Sequence, residues 1–215
     1  MGNLQNTTVD KPAVYVIIER DIQNVNIRLL NKSEQTMTRR AILSPQQAVL
    51  GLLMQSPMHG YKLYQRYVSE LDPMWHAGRS QVYALLKQLE EAGQVTAQTE
   101  LQESRPARKI YHITPAGRRA FLNWVHQPVK NIRDIRVLFL AKLYFLHQLG
   151  LAGLDELIEA QKAVCQERID GLAQAASELS ADDFRNLVFE FRRRQLEAIL
   201  GWLDHCRRQF VAQGE

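Results

Sequence analysis

Six histidines and two cysteines are the first places to look for a metal centre or a nucleophile, and their spacing supports neither. His59, His76, His112, His126, His147 and His205 fall on different segments. No two stand four apart, the interval that aims two imidazoles from one helical face. Cys165 and Cys206 form no C-x-x-C pair, and on a helix His205 points about 100° away from its neighbour, so Cys206 reads as core. G-x-S-x-G, the P-loop, G-x-G-x-x-G and H-E-x-x-H are all absent, so no nucleophile, phosphate cradle or catalytic zinc is nominated. The expectation is a chain with no enzyme activity, no metal and no cofactor. Two short stretches carry a different chemistry: Arg79, Ser80, Gln81, Tyr83, Ala84 and Lys87 in one, Arg105, Arg108 and Lys109 in the other. Side chains of these types bond to phosphate oxygens, and a glutamine amide matches the edge of adenine.

The charge distribution points the same way. Residues 37–127 carry eleven Lys/Arg against six Asp/Glu, whereas 1–36 sum to zero and 128–215 carry twelve against thirteen. A basic middle segment followed by a near-neutral one implies an anionic partner for the first, with nucleic acid the leading candidate. Apolar residues at 46% and charged ones at 23% are ordinary globular usage, which excludes a disordered chain, and 215 residues allow one large domain or two small ones. The longest apolar run, 48–54, is far too short to span a membrane, and residues 1–20 lack the layout of a secretory signal. With only two cysteines, a reducing, cytoplasmic setting is expected.

The elements that must position these side chains follow from periodicity. Ser44-Pro45 offers a cap and first turn for a short, almost wholly apolar helix, which Ser56-Pro57 ends, with His59-Gly60 continuing the turn. A second helix takes Tyr61, Leu63, Tyr64, Tyr67, Val68 and Leu71 as its apolar side, the tyrosines reading as core and interface packing rather than a base-stacking platform, until Asp72-Pro73. A third, capped by Ser80, buries Val82, Leu85, Leu86 and Leu89, leaves Gln81, Tyr83, Ala84, Lys87 and Gln88 outside, and closes at Gly93. The period then changes to two. Residues 95–101 and 109–113 read as strands around a basic loop, 102–108, and Thr114-Pro115 starts a helix that buries Phe121, Leu122, Trp124 and Val125. Three helices, a hairpin and a helix describe a winged helix-turn-helix.

Beyond residue 134 the chain reads as helices only: about 135–149, then 154–179 with near-heptad apolar spacing, then a last helix capped by Ser180. The two long helices outreach one small domain, so part of their seam is expected to face a second copy, giving a homodimer. Arg192, Arg193 and Arg194 fan across about 200° with Glu190 and Glu197 in reach, and read as a solvated face.

Read this way, the middle segment resembles the PadR family of bacterial transcriptional regulators. The resemblance rests on LGLL at 50–53, PMHGY at 57–61, GRSQVYALLKQLEEAG at 78–93 and RKIYHITPAG at 108–117, and covers about residues 43–125. Gln94 departs from it, standing where a hydrophobic residue usually follows the glycine turn. The tail, with Gly201-Trp202-Leu203, is more loosely similar to the virulence-activator-type C-terminal domain of longer members.

The expected organisation is a mainly α chain: an N-terminal extension over 1–36, a winged helix-turn-helix over 37–127 and a helical dimerisation domain over 128–215. For the extension two readings stand: translation starting at Met37, or a real appendage with a strand near 14–18. The resemblance implies a homodimer reading a palindromic operator in double-stranded DNA. The third helix lies in the major groove, and Arg105, Arg108 and Lys109 of the wing reach the minor groove or phosphates. It also implies release by a small aromatic effector, with repression the commoner mode, and Trp124, Phe139, Tyr144 and Trp202 are candidate walls for its pocket. The competing reading is a winged-helix adaptor that docks an acidic protein.

Overall fold

The structure, a computed structural model, describes residues 45–72, 74, 76–102 and 105–210, and at 101, 102 and 105–107 it describes the backbone alone. The extension over 1–36, the Ser44 cap and the Arg105 side chain therefore lie outside the described residues. Helix α1 (Gln46–Gln55) buries Ala48, Val49, Leu50, Leu52 and Leu53. It ends where Ser56, ahead of Pro57, turns extended at φ −166°. Helix α2 (Gly60–Leu71) buries Leu63, Tyr67 and Leu71, and α3 (Arg79–Glu91) buries Val82, Leu85, Leu86 and Leu89. Each fully buried leucine contributes about 2 kcal/mol of apolar transfer.

After Gly93, at φ +67°, strands β2 (Val95–Gln102) and β3 (Arg105–Ile113) pair antiparallel. A two-residue strand, β1 (Met58–His59), joins the other edge of β3, pairing Met58 with Tyr111 and His59 with Ile110, so the sheet order is β1-β3-β2. Helix α4 (Pro115–Val125) follows, its Gly117 N–H donating to Thr114 Oγ1 at 3.1 Å. The Thr114 hydroxyl in turn donates to Gly93 O at 2.8 Å, tying the start of α4 to the end of α3.

Four local expectations are corrected. His59 belongs to a strand rather than a turn, because Met58 needs the β3 edge to bury its side chain. The backbone of β3 starts at Arg105, so residues 105–108 are ladder and not loop, with an irregularity in register between Glu100 and Gln102. Ser80 is the second residue of α3, not its cap; Gly78 holds that position without a side-chain bond. Ser180 contributes its carbonyl, which accepts from Asp183 N–H at 3.1 Å and Asn186 Nδ2 at 2.7 Å, while Asp183 Oδ1 accepts from Arg185 N–H at 2.8 Å and caps the last helix.

The C-terminal part starts with a single turn, α5 (Ile132–Asp134), and a π-helical turn (Ile135–Phe139) that runs into α6 (Leu140–Gln148). Helices α7 (Leu154–Ser177) and α8 (Phe184–Phe210) then pack antiparallel. Arg207 meets Asp155 at 2.7 Å, Lys162 meets Asp204 at 2.8 Å, and Leu157, Ile158 and Cys165 share the buried seam with Leu196, Leu203 and Cys206. Gln161, fully buried, satisfies both its amide groups on Val129, accepting from its N–H at 2.6 Å and donating to its carbonyl at 3.0 Å. The near-heptad pattern is thus buried along one half only. In the first half of α8, Phe184, Leu187 and Phe191 stay 60–74% exposed.

The helix-turn-helix and the C-terminal helices share one core. A Cβ on Gly51 would stand 2.5 Å from the Phe145 ring, so only glycine lets α6 approach α1 this closely. Beside it, Lys142, 3% exposed, donates to Trp124 O at 2.6 Å and Gln127 O at 2.5 Å, closing the C-terminal end of α4 with its charge over the Trp124 ring. Burial pulls its ammonium from 10.5 down to about 8. The unfolded chain keeps that proton to higher pH than the fold does. The cost of burying the charge is therefore complete below about pH 8 and relieved as pH rises toward 10.5. Relative to Lys142→Met, wild-type unfolding free energy should gain on the order of 2 kcal/mol between about pH 7 and pH 10 in denaturant titrations. A constant difference would show that the amine is not desolvated.

Candidate nucleic-acid interface

The outer face of α3 is left free by the core that its inner face seals. With Val82, Leu85, Leu86 and Leu89 turned inward, Arg79, Ser80, Gln81, Tyr83, Ala84 and Lys87 are all exposed, as the helical period requires. No acidic residue occupies the first turn of α3. Its N-terminus therefore presents both free N–H groups and the Arg79 guanidinium.

Folding brings the second stretch against the first. His59, Gly60, Tyr61, Lys62, Tyr83, Arg108, Lys109 and Tyr111 line one groove of about 480 Å³, so the start of α2, the face of α3 and the strand β3 form a single concave surface. Among the described residues Lys62, Arg79 and Arg108 have no carboxylate partner. Lys87 lies 3.7 Å from Glu91, Lys109 3.8 Å from Glu90, and His59 3.7 Å from Glu100. Such exposed pairs are weak, and an incoming anion exchanges them at little cost. Tyr111 is buried at the floor of the groove, and its hydroxyl is raised by burial and then by Glu90.

Of the residues singled out in sequence, Tyr83, Arg108 and Lys109 converge in this groove. Arg79 stands over the Tyr61 and Tyr83 rings, while Ser80, Gln81, Ala84 and Lys87 continue the exposed face of α3. His59, Tyr61 and Lys62 were missed. Of the tyrosines, Tyr67 is fully buried as core, whereas Tyr61 is 53% exposed and lies outside it. At about 100° per residue Tyr61 lies about 120° around the helix from Tyr67, the centre of the Leu63, Tyr67, Leu71 stripe, a rotation that could have flagged it.

The four proposed effector walls do not gather in one place. Trp202 lines a cavity of about 720 Å³ between the π-helical turn and α8, with Ile135, Leu140, Ile199, Arg133 and Arg136. Phe139 is fully buried behind it, ring centroids 6.1 Å apart. Trp124 packs on Phe121 at 5.9 Å and under Lys142, and the Tyr144 hydroxyl donates to Glu70, which also accepts from Arg66 Nε at 2.5 Å. Burial, then that bond to Glu70, raises the Tyr144 phenol well above its ordinary range.

Comparison with known proteins follows the same division. Residues 49–123 match the transcriptional regulator PadR-like family, and residues 135–210 match the virulence activator alpha C-terminal family. The negative transcriptional regulator PadR of Bacillus subtilis is 30% identical over 137 residues, 62% of this chain and 74% of that protein. The probable transcriptional regulator Rv1176c of Mycobacterium tuberculosis is 33% identical over 89 residues, 41% of this chain and 47% of that one. The crystal structure of B. subtilis PadR in complex with operator DNA aligns with 26% identity over 74% of this chain and 94% of its own, at a TM-score of 0.37. On the matched segments and the extent of the B. subtilis relative that is covered, the chain belongs to the PadR-like family of transcriptional regulators.

Proposed function

We propose that this regulator acts in the cytoplasm by binding an operator in double-stranded DNA as a homodimer, and that it represses. Residues 37–127 form the reading domain and 128–215 the dimerisation domain. The observation that carries the reading is the groove in which Tyr83 of α3 meets Lys62 and Arg108, with Arg79 beside it over the Tyr61 and Tyr83 rings; among the described residues none of these three cations has a carboxylate partner. Helix α3 enters the major groove, Gln81 offers its amide to adenine, and Lys87 and Arg108 neutralise phosphates beside it. The covered relative, itself a negative regulator, supports repression.

The second copy covers the first half of α8. Phe184, Leu187 and Phe191 line an open groove of about 590 Å³ with Val188, Glu190 and Arg194, and a two-fold partner buries such a stripe against its own. The Trp202 cavity is the proposed seat of a small aromatic effector, acting by binding one of two dimer geometries more tightly.

Fluorescence anisotropy with promoter and scrambled duplexes should give a preference of about a thousandfold and a steep loss between about 50 and 200 mM salt. Sequence-indifferent, weak binding would favour the adaptor for an acidic protein instead. Lys87→Ala and Arg108→Ala should each weaken both duplexes alike and lower the salt slope by about one. Phe191→Glu should convert the sedimenting species from dimer to monomer, and an unchanged dimer would place the interface elsewhere.

A further inference from the structure

Arg79 is held by aromatic rings from two helices. Its guanidinium carbon stands 5.5 Å from the Tyr61 ring centroid and 5.8 Å from that of Tyr83, the first on α2 and the second one turn along α3. Neither ring belongs to the buried core, Tyr61 being 53% and Tyr83 37% exposed, so each presents part of its surface to the groove. Tyr83 owes its placement to Gly60: a Cβ at that position would come within 2.9 Å of its ring, which therefore lies against bare backbone. Gly60 and Tyr61 thus act as a pair. The glycine admits one ring and the next residue supplies the other.

An arginine at a helix start ordinarily samples many rotamers, and ordering it on DNA carries an entropic cost. Two π faces remove much of that freedom in advance while leaving the guanidinium N–H groups unspent. We propose that Tyr61 is a positioning residue that, with Tyr83, holds Arg79 ready for a phosphate of the duplex backbone. A phosphate is favoured because the surface around the rings continues into Lys62 and Arg108, a track of charge. The inference rests on the DNA-binding reading, but the clamp exists in the free protein and can be tested there.

In the DNA-free dimer, the Arg79 side-chain protons should show ring-current upfield shifts by NMR that Tyr61→Leu diminishes and Tyr61→Phe retains. Shifts that Tyr61→Leu leaves untouched would overturn the clamp whatever the DNA results. On DNA, Tyr61→Leu and Arg79→Gln should each weaken operator and scrambled duplex roughly fivefold. The double variant should be little worse than either single one, and Tyr61→Phe near wild type. Multiplying effects, a Tyr61→Phe as damaging as Tyr61→Leu, or a loss confined to the operator would each overturn the assignment. Failure of the wild type to bind any duplex, with the NMR shifts intact, would instead remove the DNA-binding reading.

Discussion

A helix with no solvent face dictates the positions of its neighbours, and α1 is that helix here. Its Ala48, Val49, Leu50 and Leu52 are fully buried, so α2, α3, α4 and β3 must each cover part of it. At Gly51 it also admits Phe145, which meets Phe121 edge-on at 5.4 Å. Reading helices and C-terminal helices therefore close one apolar core instead of hanging on a tether, and the exposed side of α3 is set by what its inner side must seal.

What the sequence made legible was what depends on near neighbours. The stripe of α3, the Leu63, Tyr67 and Leu71 part of the α2 stripe, the Thr114-Pro115 start and the turn at Gly93 each need only a few adjacent residues and stand as read, whereas Tyr61 and Val68 of α2 are exposed. The misreadings needed knowledge of a distant partner. Met58–His59 is a strand only because β3, fifty residues on, offers an edge, and Tyr61 is outside because Leu63, Tyr67 and Leu71 take the core. Lys142, a charged residue in an apolar helix, gave no sign that two carbonyls of α4's end awaited it.

The groove is likewise a product of folding. Its cations come from α2 and β3, and no window of sequence contains them together with Tyr83. The motifs pointed to the family, while the addition of His59, Tyr61 and Lys62 required the β1–β3 pairing that draws the start of α2 toward β3.

That pairing has a mechanical side. Strand β1 runs directly into Gly60 and Tyr61, and its partner β3 bears Lys109 one residue and Arg108 two residues from the paired register. A pull on the wing is passed through two ladder positions to the first turn of α2 and so to the ring that flanks Arg79. The two ladder positions are what ties the wing strand to the helix start. On the proposed DNA reading, a duplex stiff enough to lift the wing would strain the guanidinium's seat at the far end, and flexibility at base pairs the chain never touches would enter its affinity.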